Sequence, residues 1–172
     1  MKTQTQTKSK KPLIGLSTLI FHKNKGMFSE KTVEINSKDP DFKFRRKSLE
    51  AIKKELKGKN LSMHSLTKRV FTEKDKDLRK MEINILKSEI IACKFLGCKE
   101  LIVHLKQEKL NKNEVEIFKE LLSFSKKYKV EILYEPNGKF NGNFFIYNLK
   151  QFKNLKVNLD LGHINTAVVN KT

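Results

Sequence analysis

The sequence predicts an α/β fold, an incomplete (β/α)8 barrel with about six parallel strands. Apolar runs of strand length alternate with stretches of helical periodicity, the pattern of parallel β/α units. Successive strands finish on side chains able to hold a metal, at the end where parallel barrels place their chemistry. The chain has 172 residues, enough for one domain and one core, whereas eight β/α units need about 250.

Residues 1–12, MKTQTQTKSKKP, are polar and basic and lack the apolar centre of a signal peptide. They read as a disordered tail, leaving 13–172 as the partial barrel. The first strand is read at 13–18, with Pro12 ahead of it, and the second at Thr32–Asn36. A helix over about 42–57 places Leu49, Ile52 and Leu56 on one face, and Gly58 terminates it. The third strand is Asn60–His64. The next helix is expected to use Thr72 as N-cap with Asp75 at its third position. Its buried stripe is read as Leu78, Met81, Ile85, Ala92 and Phe95, and Gly97 ends it. Glu100–His104 forms the fourth strand, and Asn113 caps a helix with Ile117, Phe118, Leu121, Leu122 and Phe124 inward. The fifth strand is read at 130–135, followed by a Gly/Asn-rich loop, a short helix ending near Phe152, and a sixth strand at 155–160.

Lys and Arg number 37 against 19 acids, a formal charge of +18. A lysine-rich surface attracts phosphates and releases counterions on binding, which makes DNA a partner to consider. Arg, the better reader of bases and phosphate forks, occurs only at 45, 46, 69 and 79. The lysines are spread along the whole chain, as solvated helix faces would be. No apolar run reaches the roughly 18 residues of a membrane span. Cys93 and Cys98 have no Cys or His companions at zinc-ligand spacing and read as reduced thiols near the core of a cytoplasmic protein.

His64, His104, Glu135 and Asp160 close the third to sixth strands, and His163 follows in Asp160-Leu161-Gly162-His163. A lone strand-end His is more often a hydrogen-bonded rim residue, Glu135 before Pro136 can open a solvated loop, and Asp160 can cap a following helix. Their recurrence at equivalent positions of successive units argues for a shared site. Imidazoles mixed with carboxylates suit Zn²⁺, with Mn²⁺ as the alternative. His22 has no assigned role.

Here the sequence resembles the xylose-isomerase-like TIM barrels, in particular the endonuclease IV branch (apurinic/apyrimidinic endonuclease family 2). Met63-His64-Ser65 and Leu101-Ile102-Val103-His104 look like its third- and fourth-strand histidines. Residues 82–98, ending Phe95-Leu96-Gly97-Cys98, are similar to its helix before strand four. Tyr134-Glu135-Pro136-Asn137 resembles its strand-five glutamate, and Asn158-Leu159-Asp160-Leu161-Gly162-His163 its Asp-x-x-His signature. The resemblance implies one metal on His64, His104 and Glu135, a second bridged by Glu135 and shared with Asp160, and a third taking His163. It also implies a metal-dependent phosphodiesterase acting on abasic sites in DNA, with Glu135 catalytic.

The alternative on the same fold is a sugar or sugar-phosphate isomerase or epimerase, in which Glu135 and Asp160 hold one metal and His163 contacts the substrate. Residues 19–31 are short for a first helix, and Thr172 falls where a seventh strand is expected. A non-catalytic remnant or split-protein half is therefore a third reading. With two sheet edges open, oligomerisation or a partner chain supplying the missing strands is expected.

Overall fold

The computed structural model describes residues 16–17, 31–37, 44–66, 73–104, 109–136, 142–153 and 155–160. Six strands alternate with helices in the order β1 (Leu16–Ser17), β2 (Thr32–Asn36), α1 (Arg46–Glu55), β3 (Asn60–His64), α2 (Lys76–Leu96), β4 (Glu100–His104), α3 (Lys112–Tyr128), β5 (Glu131–Glu135), α4 (Gly142–Lys150) and β6 (Lys156–Val157). All five strand pairs are parallel, and the spatial order is the sequence order. A doubly wound sheet reverses its order at a switch point, so an unreversed run is the arc of a (β/α) barrel. The expected fold class stands.

Alternation along each strand sorts side chains onto two faces. Ile35, Met63, Leu101 and Ile132 are paired in one row, with Val103 and Tyr134 paired beyond them. These residues join Leu86, Ile90, Cys93, Leu96, Phe118 and Leu121 of the helices in the buried core. The opposite face is polar at its base, with Glu34, Ser62, Glu100 and Glu131 in register. Above them run Asn36, His64, Ile102, Leu133 and Lys156, and above those His104 is paired with Glu135. His64, His104 and Glu135 thus share one face at the C-terminal strand ends.

The helices begin and end on local chemistry. Asp75, not Thr72, caps α2: its side chain accepts from Asp77 N and Leu78 N at 2.8 and 3.0 Å, while Thr72 lies outside the described residues. Gly97 ends α2 with φ 87°, a left-handed conformation that costs glycine little. The cap of α3 is Asn111 rather than Asn113, because Glu114 then falls at the third helical position and closes a reciprocal capping box. The buried stripe of α2 is also rephased, to Leu86, Glu89, Ile90, Ala92, Cys93 and Leu96. Leu78 and Met81 are 50% and 59% exposed, because only the later turns of the helix pack on the sheet.

Phe118 of α3 meets Phe152 edge to face with centroids 4.8 Å apart, locking the end of the α4 segment onto the core. Cys93 and Cys98 are free and buried, as read from the sequence. Among the described residues no helix is long and apolar enough to cross a membrane. The expected tail at 1–12, most of the first strand, His22 and residues 161–172 lie outside the described residues.

Candidate metal centre

Three of the five predicted site residues come together. His64, His104 and Glu135 each offer one ligand atom, and these atoms lie within 4.8 Å of one another. The parallel register produces this convergence. His104 and Glu135 are direct partners on β4 and β5, and His64 is paired with Ile102, on the same face as His104. The two imidazole rings stand 4.9 Å apart at 58°. His104 and Glu135 are buried, and His64 is nearly so.

Glu135 Oε1 lies 3.6 Å from Nε2 of both His64 and His104. That is too long for a hydrogen bond. It is close to the edge of a tetrahedral zinc site, about 3.3 Å for bonds of about 2.0–2.1 Å. The second carboxylate oxygen, Oε2, accepts from Asn158 Nδ2, so one oxygen is held and the other faces the imidazoles. His104 Nδ1 is 3.3 Å from the Glu135 carbonyl oxygen, which can only accept, so Nδ1 carries the hydrogen and Nε2 presents its lone pair. Two imidazole nitrogens and a carboxylate oxygen facing one small volume fit a divalent ion of the zinc or manganese type.

The charges in the cluster are linked. Burial pulls the His64 pKa down, but Glu135 beside it, with Glu34 further off, outweighs burial and raises it above the ordinary value. Burial pushes Glu135 up, yet the contact with His64, the Asn158 hydrogen bond and the two imidazoles together bring it below the usual carboxylate range. Glu135 therefore keeps its negative charge at neutral pH, as a ligand must.

Asp160 is half-buried beyond β6 and lies outside the three-residue cluster, and His163 lies outside the described residues. One contributor to the site, Asn158, and one buried carboxylate near it, Glu89, escaped the sequence reading. Asn158 sits in the quoted Asp-x-x-His stretch, but its role appears only once β5 and β6 are paired, when Asn158 N also donates to the Tyr134 carbonyl at 2.9 Å. Glu89 was hidden in a lysine-rich helix. With the stripe phased on Leu86, Ile90 and Cys93, helical spacing would have placed it among buried positions.

The family model described as xylose isomerase-like TIM barrel matches residues 31–170. The chain belongs to this family. Several solved structures superpose on most of this chain. A D-tagatose 3-epimerase-like protein matches with a TM-score of 0.73 and 17% identity, over 89% of this chain and 66% of its own. D-psicose 3-epimerase from Clostridium cellulolyticum H10, solved with D-tagatose, matches with a TM-score of 0.67 and 16% identity, over 88% of this chain and 64% of its own. The IOLI protein with a bound zinc atom matches with a TM-score of 0.51 and 22% identity, over 63% of this chain and 42% of its own. This TIM-barrel chain therefore spans less than two thirds of the length of these structures. No curated protein matches it in sequence.

Proposed function

We propose that this chain carries the metal-holding part of a divalent-metal-dependent isomerase or epimerase acting on a small hydroxy-ketone sugar or its phosphate. The observation that carries the reading is the convergence of His64, His104 and Glu135 at the C-terminal strand ends, in a fold whose similar structures include two proteins named for 3-epimerases. Zinc, with manganese as the alternative, is the ion these donors suit best. Bound there, the ion would supply a Lewis acid for a substrate carbonyl or hydroxyl oxygen.

The chain's own residues do the rest. His104 is held in one tautomer by the Glu135 carbonyl, and Asn158 fixes the Glu135 carboxylate, so the donor set is preorganised. In this reading Asp160, which follows β6, would supply a second carboxylate to the ion. His163 would contact the substrate, the role expected of it in the sugar-enzyme alternative. With its two free thiols buried, the protein suits the reducing cytoplasm.

Two observations favour a second reading, the abasic-site phosphodiesterase. Two strand-end imidazoles and a bridging-type carboxylate make a hydrolytic donor set, and the charge of +18 suits a phosphate backbone. The test sets the two side by side. The purified chain with Zn²⁺ or Mn²⁺ is given a panel of ketohexoses in deuterated water, and in parallel a duplex bearing one abasic site. Metal-dependent deuterium uptake next to the sugar carbonyl without nicking supports the proposal. Nicking without sugar exchange transfers it to the phosphodiesterase, and neither activity rejects both.

A further inference from the structure

Glu89 is fully buried on α2, the helix between β3 and β4, and it belongs to none of the roles above. It has no cation beside it in the structure's ion pairs among the described residues. Its partners are instead three donors from two different loops. Ser37 Oγ, just after β2, donates to Oε1 at 2.7 Å. Leu66 N, after β3, donates to the same oxygen at 2.7 Å. Ser65 Oγ donates to Oε2 at 2.5 Å.

These donors enclose His64. Ser65 and Leu66 are the two residues that follow it, and Ser37 reaches it from the neighbouring strand. Ser37 N donates to the His64 carbonyl at 3.1 Å, and Ser37 Oγ stands 3.0 Å from that same oxygen. Ser65 N donates to the Ile102 carbonyl at 2.8 Å, tying the exit of β3 to β4, two residues before His104. One carboxylate therefore holds the two residues that follow His64 and the exit of the neighbouring strand that binds the His64 carbonyl. The Ser65 bond indexes them to the strand that carries His104. Packing alone would be served as well by an apolar side chain at position 89, since the neighbours on this helix face, Leu86, Ile90 and Cys93, are buried. A buried carboxylate costs free energy unless it is well hydrogen-bonded, and here its bonds all go to the backbone and hydroxyl groups that set the His64 loop.

We propose that Glu89 is a positioning residue of the metal centre, acting through Ser37, Ser65 and Leu66 to hold His64 in its ligating pose opposite Glu135. The inference rests on the reading of His64, His104 and Glu135 as a metal site. Partners one step behind a metal ligand typically alter affinity by roughly 10–100-fold when removed, and Glu89 belongs to that class although it touches no ligand side chain.

The test uses the full chain with metal alone. Zn²⁺ affinity is measured by competition with a chromophoric chelator, and Co²⁺ is used for its visible spectrum, which reports coordination. Glu89→Gln keeps the shape and one acceptor oxygen but turns a donor toward Ser65. It is expected to bind Zn²⁺ at least roughly 10-fold more weakly and to change the Co²⁺ spectrum. Leu121→Ala, a core change on α3, a helix that carries none of the three ligands, is expected to lower stability while leaving both readouts as in the parent. Ser65→Ala, which removes one donor and leaves Glu89 the other two, is the smaller lesion should Glu89→Gln not fold, and is expected to weaken Zn²⁺ several-fold. If the parent binds Zn²⁺ and both variants match it in affinity and spectrum, the positioning role is overturned while the metal site stands. If the parent itself binds no Zn²⁺, the site reading falls and takes this inference with it. Equal losses in Leu121→Ala and Glu89→Gln would also overturn it, since the effect would then follow stability alone.

Discussion

Asn158 donates its side-chain amide to Glu135 Oε2, while Glu135 Oε1 sits equidistant, at 3.6 Å, from the Nε2 atoms of His64 and His104. The two oxygens of one carboxylate thus have different tasks, one anchored to the start of the next loop and the other presented to the imidazoles. Removing the anchor takes away the hydrogen bond that sets the orientation of Oε2. Asn158→Ala is expected to weaken Zn²⁺ binding by roughly 10-fold with little change in urea midpoint, because Asn158 is not a core residue. An unchanged affinity in a chelator competition would show that Asn158 does not orient Glu135.

The metal-free site should make stability depend on pH in a definite sense. His64 is raised from its ordinary 6.5, so its contribution is complete below that value and is lost as pH rises through the folded-state pKa. Glu135 is lowered from 4.5, so its contribution is present above that value and is lost as pH falls through the folded-state pKa. Between about pH 4.5 and 6.5 both operate, and the urea midpoint of the metal-free chain should be highest there. Zn²⁺ must displace the His64 proton, so metal affinity should climb from pH 6 to pH 8 as stability of the metal-free form declines. A midpoint that keeps rising to pH 8, or an affinity that falls over the same range, would contradict this linkage.

Phe118 is completely buried and meets Phe152 edge to face. Phe118→Ala removes a ring from the centre of the helix layer and should cost about 3–5 kcal/mol. Urea denaturation of the Zn²⁺-loaded and metal-free forms measures it. A loss below about 1 kcal/mol would mean that α3 and the segment ending at Phe152 are not packed through this contact.

Much of the fold was legible because the code for it is local. Strand-length apolar runs and the glycines at 58 and 97 fixed β2, β3 and β4 to the residue, along with the end of α2. Strand direction then follows from the β/α alternation, and strand direction is what brings His64, His104 and Glu135 to one end. Helix starts were less legible, since Asp75 and Asn111 compete with Thr72 and Asn113 as caps and only the backbone decides between them. The phase of α2 failed for a related reason. Leu78 and Met81 fit an apolar stripe by spacing, but they lie on turns that extend beyond the sheet. The supporting contacts of the site could not be read at all. Ser37, Ser65 and Glu89 are separated by as many as 52 residues in sequence, and nothing in a serine or a glutamate signals a partner at that distance.

The central claim is that His64, His104 and Glu135 form one metal site, and Zn²⁺ titration with elemental analysis of the desalted chain tests it most directly. The account predicts about one tightly held zinc per chain, abolished when His64→Ala and His104→Ala are combined. No bound zinc in the parent chain, or a zinc that persists in the double variant, would contradict it.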